Sequence, residues 1–299
     1  MDKLLHATAA DGQVRVIAAI TNEITAEAIR RHQTSPTVSA ALGRMLTGTL
    51  LLGATLKEFD RLTVKIACDG PVGGITCEAT NLGTVRGYVK NSVAELPAKT
   101  NGKFDVSGIV GKGTFYVIRE SGFEIGLHRD PYIGSVPIVS GEIAEDFAFY
   151  LAKSEQIPSA VMLGVLLKNT APFVAASGGV MIQTMPGANE HIITMIEDTI
   201  AHAPHITSII ESSGSPENLI RLALGEIDYE ILEEREVEFK CTCSHAKAVQ
   251  MIEALGRDEI ASMIADNKGA VMSCGFCNQT YQISEEELRD MQERSAVVE

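Results

Sequence analysis

The chain has 299 residues, enough for two or three domains, and its 45% apolar and 21% charged residues match a globular protein rather than a disordered or fibrous one. A net charge of -14 and a pI near 5.0 repel phosphate backbones, so no nucleic-acid partner is expected; the one local basic run, IRRHQ at 29–33, is short. The longest uncharged stretch, 169–189, is interrupted by Pro172, Gly178, Gly179, Pro186 and Gly187, so it predicts strand, turn and strand rather than a membrane span.

The opening MDKLLHATAADGQVRV shows no basic region followed by a long apolar run and a small-residue cleavage site, which predicts a cytoplasmic protein. TSPTVSAALGRMLTGTLLLGATLK then places Ser35 as N-cap and Pro36 at the first helical position, and its apolar run, broken by Arg44, predicts a largely buried helix. RLTVKIAC, GGITCEAT, TVRGYVK and GTFYVIRE, each bounded by Gly, Pro, Asn or Asp, predict strands of a mainly antiparallel sheet. GEIAEDFAFYLAKSEQ predicts a helix, and IPSAVMLGVLL and FVAASGGVMIQTM two further strands. GIVGKGT at 108–114 has the look of a phosphate loop, but Gly113 follows Lys112 where that motif needs Ser or Thr, so it predicts a turn before a strand.

The character of the chain changes at PGANEH. From Gly178 to Lys240 there are 12 acidic and 3 basic residues, and this self-repulsion predicts a metastable segment. Ile192, Ile196 and Ile200 share one helical face, Ile206 pairs with Ile209 and Ile210, and SPENLIRLALG begins with a Ser-Pro cap and stops at Gly, so the segment is expected to be helical and to need a surface to dock on. Beyond it, SHAKAVQMIEAL and DEIASMIADN predict two short helices, AVMS and TYQI a hairpin, and SEEELRDMQER a helix opened by a capping box of Ser284 and Glu287. The fold class is therefore α+β: an α/β core domain over 1–178, an acidic helical linker over 179–237, and a small C-terminal domain over 238–299 that needs a staple.

The cysteines supply that staple. Cys241 and Cys243 form C-x-C, Cys274 and Cys277 form C-x-x-C, and four thiolates brought together by an intervening helical segment suit the tetrahedral preference of zinc. His245 is superfluous to that count and is assigned to a helix N-terminus on the surface. Cys68 and Cys77 lie in strand-like runs as small apolar residues. Each tight pair can also close on itself when oxidised, which would expel a metal; C-x-x-C accommodates a disulfide more readily than C-x-C, so Cys274 with Cys277 is expected to form first. A purely structural zinc site, a zinc-dependent binding module and a thiol-disulfide oxidoreductase using CGFC are the other readings. Oxidoreductase dithiols sit at a helix N-terminus, whereas this pair is predicted at a hairpin turn. NQT at 278–280 is a chance match to a glycosylation acceptor, no Gly-x-Ser-x-Gly elbow is present, and no catalytic residue is predicted.

With RRHQTSPTVSAALGR at 30–44, GPVGGITCEA at 70–79 and SEQIPSAV at 154–161, the cysteine pattern resembles the redox-regulated heat-shock chaperone family, the 33 kilodalton chaperonins, over nearly the whole chain. The resemblance implies that Cys241, Cys243, Cys274 and Cys277 hold zinc in a reduced, inactive protein and form two disulfides on oxidation. It also implies that 179–237 is a linker that unfolds on activation, and that the active form is a dimeric, ATP-independent holdase for unfolding client proteins. IITMIEDTI at 192–200 and the core face it covers are the expected client surface.

Overall fold

The computed structural model describes residues 1–57, 60–121, 130–171, 173–267 and 269–295. The chain forms two compact units, Met1–Lys240 and Cys241–Glu299.

The first unit opens with a hairpin, β1 (Lys3–Ala9) and β2 (Val14–Ile20), followed by helices α1 (Asn22–His32) and α2 (Pro36–Gly53). Strands β3 (Arg61–Cys68), β4 (Ile75–Thr80) and β5 (Thr84–Val89) form a meander. The short helix α3 (Val106–Val110), strands β6 (Gly113–Glu120) and β7 (Tyr132–Pro137), helix α4 (Ala144–Lys153), and strands β8 (Ser159–Leu167) and β9 (Val174–Thr184) follow. Helices α5 (Glu190–Ala201), α6 (Ile206–Ser213) and α7 (Pro216–Leu224) lead into β10 (Tyr229–Glu236) and β11 (Glu238–Phe239).

Two sheets result. The first has the order β10-β1-β2-β9-β8 with every pair antiparallel, and the second the order β11-β5-β4-β3-β6-β7, antiparallel except where β11 joins β5. Between them runs α2, buried at sixteen of its eighteen positions. Its Leu42, Met45, Leu46 and Leu50 share one core with Ile17 of the first sheet and Val64, Ile75 and Val85 of the second. Buried hydroxyls fix the register of this layer: Thr21 contacts Thr47 at 2.7 Å and Ser177 at 2.9 Å, and Thr25 contacts Ser177 at 2.7 Å. Ser35 is the N-cap residue of α2 as expected, but its hydroxyl donates to the Ala94 carbonyl instead of accepting from the first helical turn. In GIVGKGT, Gly111 takes a left-handed φ of +71°, and a Cβ on Gly113 would lie 2.0 Å from the Ala67 carbonyl oxygen, so these glycines serve the turn into β6.

The opposite face of the first sheet, with Leu5, Val14, Val16, Ala18, Val180 and Ile182, packs against Ile196, Ile206, Ile210, Leu219 and Ile220 of α5, α6 and α7. The acidic segment is thus helical through Leu224, but it ends as a strand. The unpaired edge of β1 offers a ladder, and Tyr229–Glu236 takes it in an antiparallel register despite a composition that favours helix.

Asp2 secures the start of this unit. It is 2% exposed, its carboxylate accepts from the backbone N–H of Ile24 at 2.8 Å and so caps α1, and its carbonyl accepts from the Val237 N–H at 3.2 Å. Burial raises its pKa to about 6; the N–H groups of Ile24 and Glu23 oppose the shift and the Glu23 carboxylate adds to it. Because the folded value exceeds the unfolded one, this contribution to stability is complete below about pH 4 and is lost as pH rises through about 6. Urea unfolding of the parent and of Asp2→Asn across that window should give a stability difference that shifts by about 2 to 3 kcal/mol against the parent as pH rises. A flat difference would show that Asp2 does not titrate there.

Candidate metal centre

In the second unit, α8 (His245–Glu253) and α9 (Arg257–Asn267) precede a hairpin of β12 (Gly269–Ser273) and β13 (Thr280–Ser284), and α10 (Glu285–Ser295) closes it. The capping box forms as the sequence predicts: Glu287 N–H donates to Ser284 Oγ at 3.2 Å, and Ser284 N–H donates to the Glu287 carboxylate at 2.9 Å. The core is small, consisting of Ala248, Ile252, Ile260, Ile283, Leu288 and Met291 with a few half-buried neighbours.

Two local structures deliver the cysteines. Cys241 and Cys243 lie in the extended chain before α8, whose N-cap Ser244 accepts from Lys247 N–H at 3.2 Å, while Lys247 Nζ donates to the Thr242 carbonyl at 2.7 Å. Cys274 and Cys277 occupy the turn between β12 and β13. There Asn278 N–H donates to the Cys274 carbonyl at 2.8 Å, Cys274 N–H donates to the Gln279 carbonyl at 2.9 Å, and Asn278 takes a left-handed φ of +59°.

The four sulfurs all lie within 4.8 Å of one another, with Cys241 Sγ 3.7 Å from Cys274 Sγ and Cys243 Sγ 3.3 Å from Cys277 Sγ. Four sulfurs held about 2.3 Å from a central ion in a tetrahedron would lie about 3.8 Å apart, whereas a disulfide brings two to about 2.05 Å. The separations are those of a shared ligand shell, and the donor set is all soft sulfur, so these residues fit a tetrahedral thiophilic ion. Burial pushes the Cys277 and Cys274 thiols above their ordinary range, and a cation among them would reverse that preference.

Around the sulfurs stands a set of supporting side chains. The Tyr281 hydroxyl donates to Cys243 Sγ at 3.1 Å, and that bond, with some burial, pushes the phenol up to about 12, so it keeps its proton. His245 packs edge-on against the Tyr281 ring with centroids 6.3 Å apart, and its Nε2 lies 3.2 Å from the Gln282 carbonyl and 3.3 Å from the Glu287 carboxylate. Its place at the start of α8 is the expected one, outside the four-sulfur group. Cys77 is buried in β4 beside Thr49, and Cys68 is half-buried at the end of β3; burial raises both thiols. The role of Tyr281 is not evident from sequence, although an aromatic hydroxyl four residues beyond Cys277 is the signal that would have found it.

Replacing Tyr281 by Phe removes one hydrogen bond from the Cys243 sulfur and leaves the ring packing intact. With the protein loaded with zinc as the probe ion, transfer of that ion to a chromogenic chelator should become about tenfold faster at unchanged helix content. An unchanged transfer rate would mean that the hydroxyl does not support the sulfur.

A family model described as Hsp33 protein matches residues 2–284. A 33 kDa chaperonin of Enterococcus faecalis is 44% identical over 98% of this chain and 97% of its own length, and one of Listeria monocytogenes is 44% identical over 98% and 99%. The crystal structure of a 33 kDa chaperonin from Thermotoga maritima matches with a TM-score of 0.90 at 34% identity, covering 99% of both chains. Fold, cysteine cluster and relatives agree, and the chain belongs to the Hsp33 chaperone family.

Proposed function

We propose that the protein is a redox-regulated, ATP-independent holdase, with 1–178 as core domain, 179–237 as linker and 238–299 as switch domain. The observation that carries this reading is the group of four thiols at ligand-shell spacing inside a unit with few buried apolar side chains. In the reduced protein, Cys241, Cys243, Cys274 and Cys277 hold zinc as thiolates. When bound, zinc supplies charge neutralisation and a four-point cross-link worth on the order of 10 kcal/mol to such a domain.

Oxidation pairs Cys274 with Cys277 and Cys241 with Cys243. Each pair of thiolates gives two electrons to the oxidant; with peroxide, those electrons and two protons from solvent yield two waters and one disulfide. Sulfurs bonded to each other no longer donate to a cation, so the domain loses its cross-link and unfolds. The acidic linker then gives way by its own repulsion, and the apolar side of α5 and the sheet face beneath α5 to α7 become available to clients. The active form is a homodimer that holds unfolding proteins in the cytoplasm, where reducing conditions otherwise keep the thiols free. Relatives named chaperonins support the chaperone reading. An oxidoreductase gains no support: the Cys274 and Cys277 pair lies in a hairpin turn without a helix N-terminus to lower its thiol pKa.

Zinc release and suppression of client aggregation are to be followed in one sample, reduced and then treated with peroxide or hypochlorite at elevated temperature. Both should appear together; retained zinc, or zinc loss without holdase activity, would reduce the cysteines to a structural staple. Cys277→Ser should weaken zinc binding by several orders of magnitude and leave 238–299 sensitive to protease even when reduced. Parental zinc affinity and protease resistance in that variant would refute the four-thiolate site.

A further inference from the structure

SEQIPSAV at 154–161 has no part in the cysteine chemistry. The structure places its Ile157 and Pro158 on the wall of a cavity of about 450 Å³ in the first unit, together with Met185 and Ile193. Four polar side chains also line this cavity: Gln156, Thr184, whose hydroxyl donates to the Pro158 carbonyl at 3.3 Å, Arg15 from β2 and Gln183 from β9. Arg15 and Gln183 lie directly opposite each other in the β2–β9 ladder, on the sheet face opposite to Val14, Val16 and Ile182.

Both lack a protein partner among the described residues. Gln183 is 3% exposed, and among those residues its amide makes no side-chain hydrogen bond; neither amide atom is fully enclosed, so both keep some access to solvent where the side chain lines the cleft. Arg15 is half-buried and holds no carboxylate among the described residues, whereas Arg44, Arg61, Arg86 and Arg119, also half-buried, each hold a glutamate. A half-buried guanidinium and a neighbouring amide, neither spent on a protein partner and both lining one cleft with apolar walls, have the makings of a ligand site rather than of a core.

We propose that this cleft binds a carboxylate carried on an apolar stem. The guanidinium takes the carboxylate in bidentate fashion, the Gln183 amide donates to its second face or pairs with an adjoining amide, and Ile157, Pro158, Met185 and Ile193 enclose the stem. A monoanion is favoured over a phosphate because one arginine is the sole cation of the lining and the chain as a whole carries a charge of -14. Two sources have this chemistry: the C-terminus of a polypeptide ending in an aliphatic residue, and a free short-chain fatty acid. The site is independent of the redox reading, because it needs neither the four cysteines nor an oxidised state.

Calorimetric titration of the full-length, reduced, zinc-loaded protein tests it without client or oxidant. The probes are acetyl-Gly-Ala-Leu with a free carboxylate, the same peptide as its C-terminal amide, and hexanoate. The carboxylate peptide should bind at least about tenfold more tightly than the amide, and Arg15→Gln, at parental melting temperature, should lose about tenfold or more while Arg15→Lys loses less. Gln183→Met should weaken the same peptide and carries the test if the arginine variants do not fold. Binding of hexanoate but not the peptide assigns the site to a free acid, binding of the peptide alone assigns it to chain termini, and binding of both leaves the shared chemistry standing. Equal affinity for acid and amide, unchanged affinity in a folded Arg15→Gln or Gln183→Met, or no binding of any probe up to about 10 mM would overturn the proposal.

Discussion

The convergence of Cys241, Cys243, Cys274 and Cys277 is the constraint on which residues 241–299 depend. Among the described residues a core cluster of six buried apolar side chains is small for a unit of that length, and domains so small usually rely on a cross-link in addition to their core. The sulfurs bring the chain before α8 together with the turn of the β12–β13 hairpin. Tyr281, His245 and Glu287 extend that point of attachment outward: hydroxyl to sulfur, ring against ring, imidazole to carboxylate. The helix that supplies Glu287 is itself started by the Ser284 capping box, so local helix initiation and metal-site support share one residue.

Residues 1–240 are held differently. Their central helix is enclosed on both sides by sheets and joined to them by buried hydroxyl contacts, an arrangement that needs no metal. On the far side of the first sheet the helices α5 to α7 bury one isoleucine and leucine stripe each and leave the rest to solvent. Elements with a single buried stripe open at lower free energy than a helix buried all round, so the unit carries a built-in gradient of stability.

Much of this was legible in the residues themselves. Ser35 and Pro36 marked the start of α2, alternating apolar residues marked β3 to β6, and the spacing of the cysteines marked the four-sulfur group. The hairpin β1–β2 was not among the predicted elements, because VRVIAAI is apolar on both faces and shows no alternation to read. The strand β10 was hidden for the opposite reason: YEILEERE is polar enough to pass as helix, and only the edge of β1, more than two hundred residues earlier, makes it a strand. Tyr281 beside Cys243, and Arg15 opposite Gln183, are likewise relations between distant positions, which spacing along the chain does not encode.

The edge positions of β10 and β11 determine how the chain would respond to mechanical load. Both are outermost strands, one on each sheet, and they are the last regular elements before Cys241. Tension applied to the backbone beyond Lys240 meets first the two-residue ladder of β11 with β5, steadied by the Arg31 guanidinium 5.6 Å over the Phe239 ring. It then reaches the β10–β1 ladder, which is interrupted by a bulge between His6 and Ala7. Each of these edge strands has a neighbour on one side only, so load on the tail falls on a single ladder, whereas the inner strands are paired on both sides.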